Sequence, residues 1–215
     1  MKIVVVIPAF KAAATLPSVL RRIPPSTLGA VHKILVVEDG GPSVERSVKP
    51  ALLSEFPQIE VLFHGRNRGY GGAQKTGYRR ALELGCDIAV LLHADGQYAP
   101  EEMERLWRPL FEKRADIVLG SRMKSYRSAL KGGMPLYKFI ANILLSKLEN
   151  RAYGLKLSEY HSGYMLYSRT ALETIPFERP SPTHYGDEKS HLKPIEYGTQ
   201  VLKTVFNFWR GKYDY

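Results

Sequence analysis

The amino-acid sequence predicts an α/β fold built on a mainly parallel sheet. Short runs of β-branched residues alternate with segments of helical period through residues 1–120, which is the pattern of successive βαβ units. Polar loops follow these runs directly, as they do where parallel strands end at one edge of a sheet. The 215 residues fit one core, so we predict a single domain over 1–215 with halves at 1–120 and 121–215.

The elements of the first half follow from the spacing of apolar residues. The first strand is the apolar run at 3–7, which Pro8 ends, and later strands are predicted at 33–37, 60–63, 88–92 and 117–119. Apolar residues recur near the helical period at 13–23, 44–55, 72–84 and 100–113, which predicts a helix in each segment. Pro100 makes a good first helical turn, because proline gives up no needed N–H there.

The second half begins with a strongly basic stretch. Residues 121–160 contain eight Lys and Arg against two Glu, so six of the ten excess positive charges lie within forty residues. Residues 134–148 within it have the apolar spacing of an amphipathic helix. This helix either packs its apolar face into the core or lies on a membrane surface beside lipid phosphates. A last helix is predicted at 194–209.

The composition excludes several classes of protein. Hydrophobic residues make up 44% and charged residues 24% of the chain, which argues against a disordered or fibrous protein. The single cysteine, Cys86, excludes a disulfide scaffold, argues against a structural zinc site and favours a reducing compartment. The net charge of +10 indicates an anionic partner, such as a nucleotide, nucleic acid or lipid phosphate. Without a signal or membrane-span pattern, we expect a cytoplasmic protein, peripheral at the inner membrane surface if it meets a membrane.

The residues with chemistry lie in the loops after the strands. Asp39 is either a turn former or a hydrogen-bond partner for a nucleobase or ribose. The glycines within 69–72 open a helix whose N–H groups hold a phosphate, or they only permit a tight turn. They do not form the dinucleotide fingerprint after the first strand, which disfavours a nicotinamide dehydrogenase. Asp95 suits a divalent cation that bridges phosphates, or caps the next helix, and His93 on the same strand face is a second ligand or a polar wall.

Six motifs, taken in order, resemble glycosyltransferase family 2. They are Ile-Pro-Ala-Phe at 7–10, Glu-Asp-Gly at 38–40, Asn-Arg-Gly-Tyr-Gly-Gly at 67–72, His-Ala-Asp-Gly-Gln-Tyr at 93–98, Gly-Ser-Arg at 120–122 and His-Ser-Gly-Tyr at 161–164. No single motif is specific, but the ordered set covers most of the chain and resembles the branch related to dolichyl-phosphate mannose synthase. The resemblance implies a GT-A fold, a nucleotide-sugar donor, Mg²⁺ or Mn²⁺, and inversion at the anomeric carbon.

The resemblance also implies roles for individual residues. Residues 1–120 would bind the donor and 121–215 the acceptor. Asp95 and Arg122 would be catalytic, because a cation and an arginine stabilise the leaving diphosphate. Arg122 would meet an acceptor or donor phosphate, and Asp95 with His93 would hold the metal. The donor nucleotide would contact Pro8, Ala9, Phe10, Asp39, Gly69, Tyr70, Gly71, Gly72, Lys75 and Ala94. The acceptor would contact Gln97, His161, Ser162, Gly163 and Tyr164.

The sequence departs from the family pattern in several places. His93 stands where the first acid of the DxD motif is expected, so metal affinity would rest mainly on Asp95. Met165 stands where relatives commonly carry a cation. After Arg179 an acidic segment resembling Phe-Asp-Thr-Glu is absent together with a helix and a strand, about 20 to 30 residues in all. The sheet edge left by that loss would need cover from a homodimer partner or from the C-terminal helix.

Two functions remain open at this stage. The leading hypothesis is a metal-assisted inverting glycosyltransferase that moves a sugar from a UDP- or GDP-sugar to a polyprenyl phosphate or another membrane-associated acceptor. The absent acidic segment, which normally supplies the candidate base, favours the alternative of a catalytically impaired nucleotide-sugar-binding protein. Nucleic-acid binding rests on net charge alone, without an RNA motif or zinc spacing, so we expect no nucleic-acid partner.

Overall fold

The computed structural model describes residues 1–40, 46–125, 127, 130, 134–177 and 194–211. The strands within these residues are β1 Ile3–Ala9, β2 Val31–Glu38, β3 Ile59–Phe63, β4 Ile88–Leu91, β5 Ile117–Leu119 and β6 Met165–Ser168. The first five lie within two residues of the predicted strands, and β6 was not predicted. The segment that follows Arg179, where the motif comparison predicts a missing helix and strand, lies outside the described residues, as do the acidic residues Asp187 and Glu188.

The six strands form one sheet in the order β3-β2-β1-β4-β6-β5. β1 pairs in parallel with β2 and β4, and β2 pairs in parallel with β3, whereas β6 is antiparallel to both β4 and β5. The order reverses at β1, because the chain runs outward to β3 and then returns to place β4 on the other side. Ligands of open α/β sheets bind at such a switch point, outside the carboxyl ends of the strands.

The helices are α1 Leu16–Arg21, α2 Pro25–Ala30, α3 Pro50–Glu55, α4 Gly69–Glu83, α5 Met103–Phe111, α6 Leu136–Tyr153, α7 Arg169–Thr174 and α8 Pro194–Trp209, with a 3₁₀ turn at Pro100–Glu102. The prediction at 13–23 is too long, since Pro17 must lie in the first turn of α1 and Pro24 and Pro25 stop its continuation. α4 begins three residues before the predicted start, so the glycine-rich segment is its first turn. The sequence pattern misses α2 and α7.

Both faces of β1 are buried, which explains why this strand is apolar at every position from Ile3 to Ile7. Ile3, Val5 and Ile7 face one core with residues of α1 and α5, while Val4 and Val6 face a second core with residues of α4 and α7. β1 is thereby packed between two cores.

The chain divides into two compact units. Unit 1 comprises Met1–Gly120 and Gly163–Tyr185 and contains the whole sheet, and unit 2 comprises Ser121–Ser162 and Gly186–Tyr215. Within unit 2, α6 packs on α8, and the rings of Tyr153 and Phe208 meet edge to face with centroids 4.8 Å apart.

α6 has an unusual distribution of polar and apolar side chains. Its fully buried residues are polar, namely Asn142, Ser146 and Glu149. Leu136, Ile140 and Leu144 are 64%, 49% and 61% exposed. The alternative in which this helix packs its apolar face into the core is therefore wrong for these three positions.

α8 also exposes large apolar side chains, namely Leu202, Phe206, Phe208 and Trp209, while Val205 is buried. Among the described helices, none combines the length and the apolar character needed to cross a bilayer. Unit 2 therefore carries two helices with outward apolar residues.

Candidate functional site

Five loops converge on the carboxyl edge of the sheet, because β1 to β5 all run in the same direction. The loops after β1 and β2 are joined by a buried network. Glu38, the last residue of β2, accepts hydrogen bonds from the Ser47 and Val48 N–H groups at 2.7 and 2.9 Å. The Ser47 hydroxyl in turn accepts the Ala12 N–H at 3.3 Å. The predicted donor residues Pro8, Ala9 and Phe10 precede this anchor point, and Phe10 is exposed.

Asp39 is held in place by the glycine-rich segment and by a buried histidine. Its Oδ1 accepts the Arg68 N–H at 2.8 Å and lies 2.6 Å from His64 Nδ1. The opposite ring nitrogen of His64 lies 2.9 Å from the Thr76 hydroxyl on α4. Asp39 and His64 are both almost completely buried. Their pairing offsets the unfavourable free energy of burying a carboxylate. The Asp39 carboxylate is thus held in one orientation by Arg68 and His64.

The glycine-rich segment forms the first turn of α4. Gly69 has a φ of 73°, a left-handed conformation that favours glycine, and its N–H is accepted by the Asn67 side chain at 2.7 Å. A Cβ at Gly72 would lie 2.6 Å from the Arg68 Cβ, so glycine is required there for close packing. Tyr70, Gly71 and Lys75 lie on the same turn and the next. The amino end of a helix of this length attracts anions through its dipole.

Asp95 lies in the loop after β4, at the switch point. Its side chain is exposed, and its Oδ1 accepts the Gln97 N–H at 3.0 Å. Gly96 has a φ of 75°, which gives the loop a sharp turn at that point. Because β4 ends at Leu91, strand alternation does not govern the directions of His93 and Asp95, so the argument that they share a strand face is wrong.

His93 belongs to an aromatic cluster within unit 1. Its Nε2 lies 2.7 Å from the Tyr70 hydroxyl, and its ring meets the Tyr98 ring edge to face at 4.8 Å. The Tyr98 hydroxyl accepts the Gly163 N–H at 2.7 Å. A Cβ at Gly163 would lie 2.6 Å from His93 Nε2, so this position admits only glycine without rearrangement. The structure therefore brings Tyr70, His93 and Gly163 together within unit 1.

Unit 2 holds the predicted residue Arg122 in a polar network. Arg122 donates to the Glu159 carboxylate through Nε at 3.1 Å, through Nη2 at 2.5 Å and through its backbone N–H at 2.8 Å. Nη2 also donates to the His161 carbonyl at 3.0 Å. Asn142 on α6 donates to the same carboxylate at 3.1 Å.

A second buried contact connects α6 to the predicted acceptor residues. His161 Nε2 lies 3.1 Å from a Glu149 carboxylate oxygen, with both side chains about nine-tenths buried. Ser162, the next residue, is also buried. The predicted acceptor residues are thus divided by the structure, with His161 and Ser162 in unit 2 and Gln97, Gly163 and Tyr164 in unit 1.

The carboxylate of Asp95 fits a hard divalent cation. Mg²⁺ and Mn²⁺ in nucleotide sites are commonly held by one or two carboxylates together with substrate phosphates and water. Within the described residues, no group of three or more His, Cys, Asp and Glu side chains is arranged for a metal. A single exposed carboxylate at the switch point therefore suits a cation that arrives with a diphosphate, rather than one that is caged by protein.

Comparison with known proteins assigns this arrangement to a family. The sequence profile described as glycosyl transferase family 2 matches residues 4–176, from the second residue of β1 to beyond β6. The chain belongs to glycosyltransferase family 2.

Family 2 relatives are similar along most of the chain. The UDP-N-acetylglucosamine–dolichyl-phosphate N-acetylglucosaminyltransferase of Methanococcus voltae is 30% identical over 72% of this chain and 63% of its own length. The undecaprenyl-phosphate mannosyltransferase of Micrococcus luteus is 28% identical over 97% of this chain and 84% of its own length. These relatives confirm the branch that the motifs resemble. The chain spans less than two thirds of the first relative.

Solved structures confirm the GT-A fold. The glucosyl-3-phosphoglycerate synthase from Mycobacterium tuberculosis, in complex with Mn²⁺, UDP and phosphoglyceric acid, superposes with a TM-score of 0.54 at 20% identity. The match covers 79% of this chain and 56% of that one. The likeness at this identity concerns the fold.

The predicted site residues omit several that the structure places at the site. His64 follows β3 directly, and that position after a buried strand is a sequence signal for it. Glu38 belongs to the Glu-Asp-Gly motif, but the motif gives no indication of its bonds to Ser47 and Val48. Glu159 lies two residues before the His-Ser-Gly-Tyr motif, but nothing in its spacing indicates a bond to Arg122. The apolar spacing that predicts α6 gives no indication that Asn142 binds Glu159.

Proposed function

We propose that this family 2 protein transfers a sugar, with inversion, from a UDP- or GDP-sugar to a polyprenyl phosphate or another membrane-associated acceptor. The observation that carries the proposal is the arrangement at the switch point. There Asp39, the first turn of α4 and Asp95 all lie at the carboxyl edge of one rigid sheet. This combination offers a hydrogen-bond acceptor for the nucleoside, an anion-binding helix end and a carboxylate for a cation.

The names of the relatives support the acceptor class. The methanococcal relative is named for transfer to dolichyl phosphate, and the micrococcal relative is named for transfer to undecaprenyl phosphate. The polyprenol monophosphomannose synthase of Mycolicibacterium smegmatis is 30% identical over 80% of this chain and 63% of its own length. The acceptors named for these three relatives share a polyprenol and a phosphate. A lipid phosphate is therefore the acceptor that we propose.

Asp95 would hold Mg²⁺ or Mn²⁺, which would supply positive charge beside the donor diphosphate. An acceptor phosphate oxygen forms the new bond to the anomeric carbon, and the bond from that carbon to the diphosphate oxygen breaks. The electron pair of the broken bond leaves with the nucleoside diphosphate. A phosphate acceptor is already anionic at neutral pH, so it needs little help from a base. The acidic segment that normally supplies the candidate base is therefore less necessary for a phosphate acceptor.

Arg122 is the residue that we propose for the acceptor phosphate. Its guanidinium is held by Glu159 and by the His161 carbonyl, which leaves the side chain 39% exposed. A planar guanidinium suits phosphate oxygens, because it presents several N–H donors in a fixed geometry.

The helices of unit 2 support a location at the membrane surface. The exposed apolar residues of α6 stand beside the exposed Lys138 and Lys147, a combination typical of helices that lie in the bilayer interface. Leu144 and Phe206 represent the outward apolar residues of α6 and α8. A lipid-linked acceptor would be met at such a surface.

The test combines transfer with nucleotide binding. Purified protein is incubated with Mn²⁺, labelled UDP- and GDP-sugars and polyprenyl phosphate, and UDP and GDP binding is measured by calorimetry with and without Mn²⁺. We expect Asp95→Asn to abolish the Mn²⁺-dependent part of binding, because the amide lacks the negative charge. Asp116→Asn is the matched control, since Asp116 precedes β5 at the other edge of the sheet and binds Ser168.

Each outcome has a defined meaning. Transfer by the unaltered protein supports the proposal. Mn²⁺-dependent nucleotide binding without transfer or donor hydrolysis would instead support a catalytically impaired nucleotide-sugar-binding protein. Unchanged Mn²⁺-dependent binding in Asp95→Asn would remove Asp95 from the metal site.

A further inference from the structure

We infer that Glu159 is the positioning residue for Arg122, and that it fixes the guanidinium in the orientation needed at the acceptor phosphate. The inference rests on the proposed function of Arg122. It assigns a role to a residue outside the six motifs, and it also explains why α6 buries polar side chains.

The geometry of the Glu159 carboxylate is the first observation. The Glu159 side chain is completely buried, whereas that of Arg122 is 39% exposed. Glu159 Oε1 accepts from Arg122 Nε and Nη2, while Oε2 accepts from the Arg122 backbone N–H. Three bonds from one residue to one carboxylate fix both the main chain and the guanidinium plane. A surface ion pair has no such restraint, because its two side chains remain mobile.

The environment of Glu159 is the second observation. A buried carboxylate is costly unless charge and hydrogen bonds compensate it. Asn142 on α6 supplies a further donor at 3.1 Å, and its own Oδ1 accepts from the Ser146 hydroxyl at 3.2 Å. The Ser121 hydroxyl contributes a longer contact at 3.4 Å to Oε2. The polar face of α6 thus stabilises the buried Glu159 carboxylate, which explains why this face points inward.

The charge balance predicts a specific kinetic signature. Because Glu159 neutralises Arg122, the pair attracts a phosphate less strongly than Arg122 alone would. The pairing nevertheless holds the N–H donors of Arg122 in a fixed direction. Removing the negative charge leaves Arg122 solvated and positive, because its side chain is partly exposed. Attraction to the acceptor phosphate would then persist or increase, while its alignment would be lost. A positioning role therefore predicts a change in kcat without a rise in KM for the lipid phosphate.

The first measurement does not depend on activity. With ¹⁵N-labelled arginine, the Arg122 Nε–H resonance is identified by its loss in Arg122→Lys. We expect it to exchange slowly with water in the unaltered protein and in the control Glu173→Gln, which alters an exposed ion pair with Arg169. In Glu159→Gln the resonance should broaden or exchange at least about tenfold faster. Slow exchange retained in Glu159→Gln would overturn the positioning role, even if the protein transferred no sugar.

The second measurement is the kinetics of transfer. We expect Glu159→Gln to lower kcat about 10- to 100-fold, since small misplacements of a binding group have effects of that size. KM for polyprenyl phosphate should stay constant or fall. Asn142→Ala, which removes one donor and leaves both charges, should lower kcat less, and Glu159→Asp should recover part of the loss. A raised KM with unchanged kcat, or wild-type kinetics in Glu159→Gln, would contradict the inference.

The two proposals fail in different ways. Absence of transfer by the unaltered protein would count against the proposed function, and the arginine resonance would still decide whether Glu159 holds Arg122. Transfer by the unaltered protein together with wild-type kinetics in Glu159→Gln would leave the proposed function intact and reject the positioning residue.

Discussion

Gly77→Ala is the substitution for which the structure makes the sharpest prediction about stability. Gly77 lies inside α4 and is buried against β1. By helix propensity alone, alanine should stabilise the helix by about 0.8 to 1 kcal/mol. A Cβ at Gly77, however, would overlap Cγ1 of Val6 and would lie 3.3 Å from two further Val6 atoms. Val6 is completely buried within its strand, so it has no space into which it can move.

The clash should exceed the gain in propensity. Inserting a methyl group into a packed core costs about 1 to 3 kcal/mol, and this overlap belongs at the upper end of that range. We therefore expect Gly77→Ala to lower the free energy of unfolding by about 1 to 2 kcal/mol after the propensity gain is subtracted. For a protein of this size, that corresponds to a decrease of roughly 2 to 8 °C in Tm.

The assay is a double-mutant cycle by urea unfolding and calorimetry. Val6→Ala removes the overlapping atom, so Gly77→Ala should be neutral or stabilising on the Val6→Ala background, with a coupling of at least about 1 kcal/mol. Gly198→Ala in α8 is the matched control, because a Cβ there meets nothing within 4 Å and only the propensity gain remains. The reasoning is refuted if Gly77→Ala stabilises the protein as Gly198→Ala does, or if the cycle shows no coupling.

Two further predictions concern unit 1. Burial raises the pKa of the Cys86 thiol to about 11, so a thiol reagent at pH 8 should label the unfolded protein but not the folded one. The thiol of the unfolded protein ionises near pH 8.5, so the free energy of unfolding should fall as pH rises from about 8.5 toward 11. Urea titrations at pH 7 and 10 should show a smaller fall for Cys86→Ala than for the unaltered protein. Gly163→Ala should displace the His93 ring, which would cost about 1 to 3 kcal/mol of stability and weaken binding of the proposed donor nucleotide, UDP or GDP. Gly29→Ala, with open space at its Cβ, should do neither. Labelling of folded protein at pH 8, or a Gly163→Ala protein with unchanged Tm and unchanged UDP and GDP affinity, would contradict these two predictions.

Much of the site was predictable because its loops are tied to buried strands. A strand buried on both faces has a continuous apolar sequence, so its end is visible where polar residues begin, as at Asp39 after β2. Parallel strands then bring such ends to one edge. The same logic could not find β6, because its four residues Met165–Ser168 are too short and too mixed to stand out. It also could not give the strand order, which depends on which side of β1 the chain places β4.

Helix α6 shows where sequence periodicity fails. Apolar residues at helical spacing predict a helix correctly, but they do not determine which face is buried. In this protein the buried carboxylate of Glu159 requires donors, and Asn142 supplies one only if the polar face points inward. The hydrogen bond that decides the orientation of α6 joins Asn142 and Glu159, which are 17 positions apart in the chain, so no local sequence pattern predicts it.

The sequence by itself determined the family, the parallel α/β framework and the loops that bear Asp39, Asp95 and Arg122. It could do so because strand burial and short motifs are local properties. Only the tertiary structure decided how individual site residues are held: Asp39 by His64, His93 by Tyr70, and Arg122 by Glu159. These partners are separated by 23 to 37 residues, and which polar groups meet in a desolvated interior depends on the packing of the whole unit.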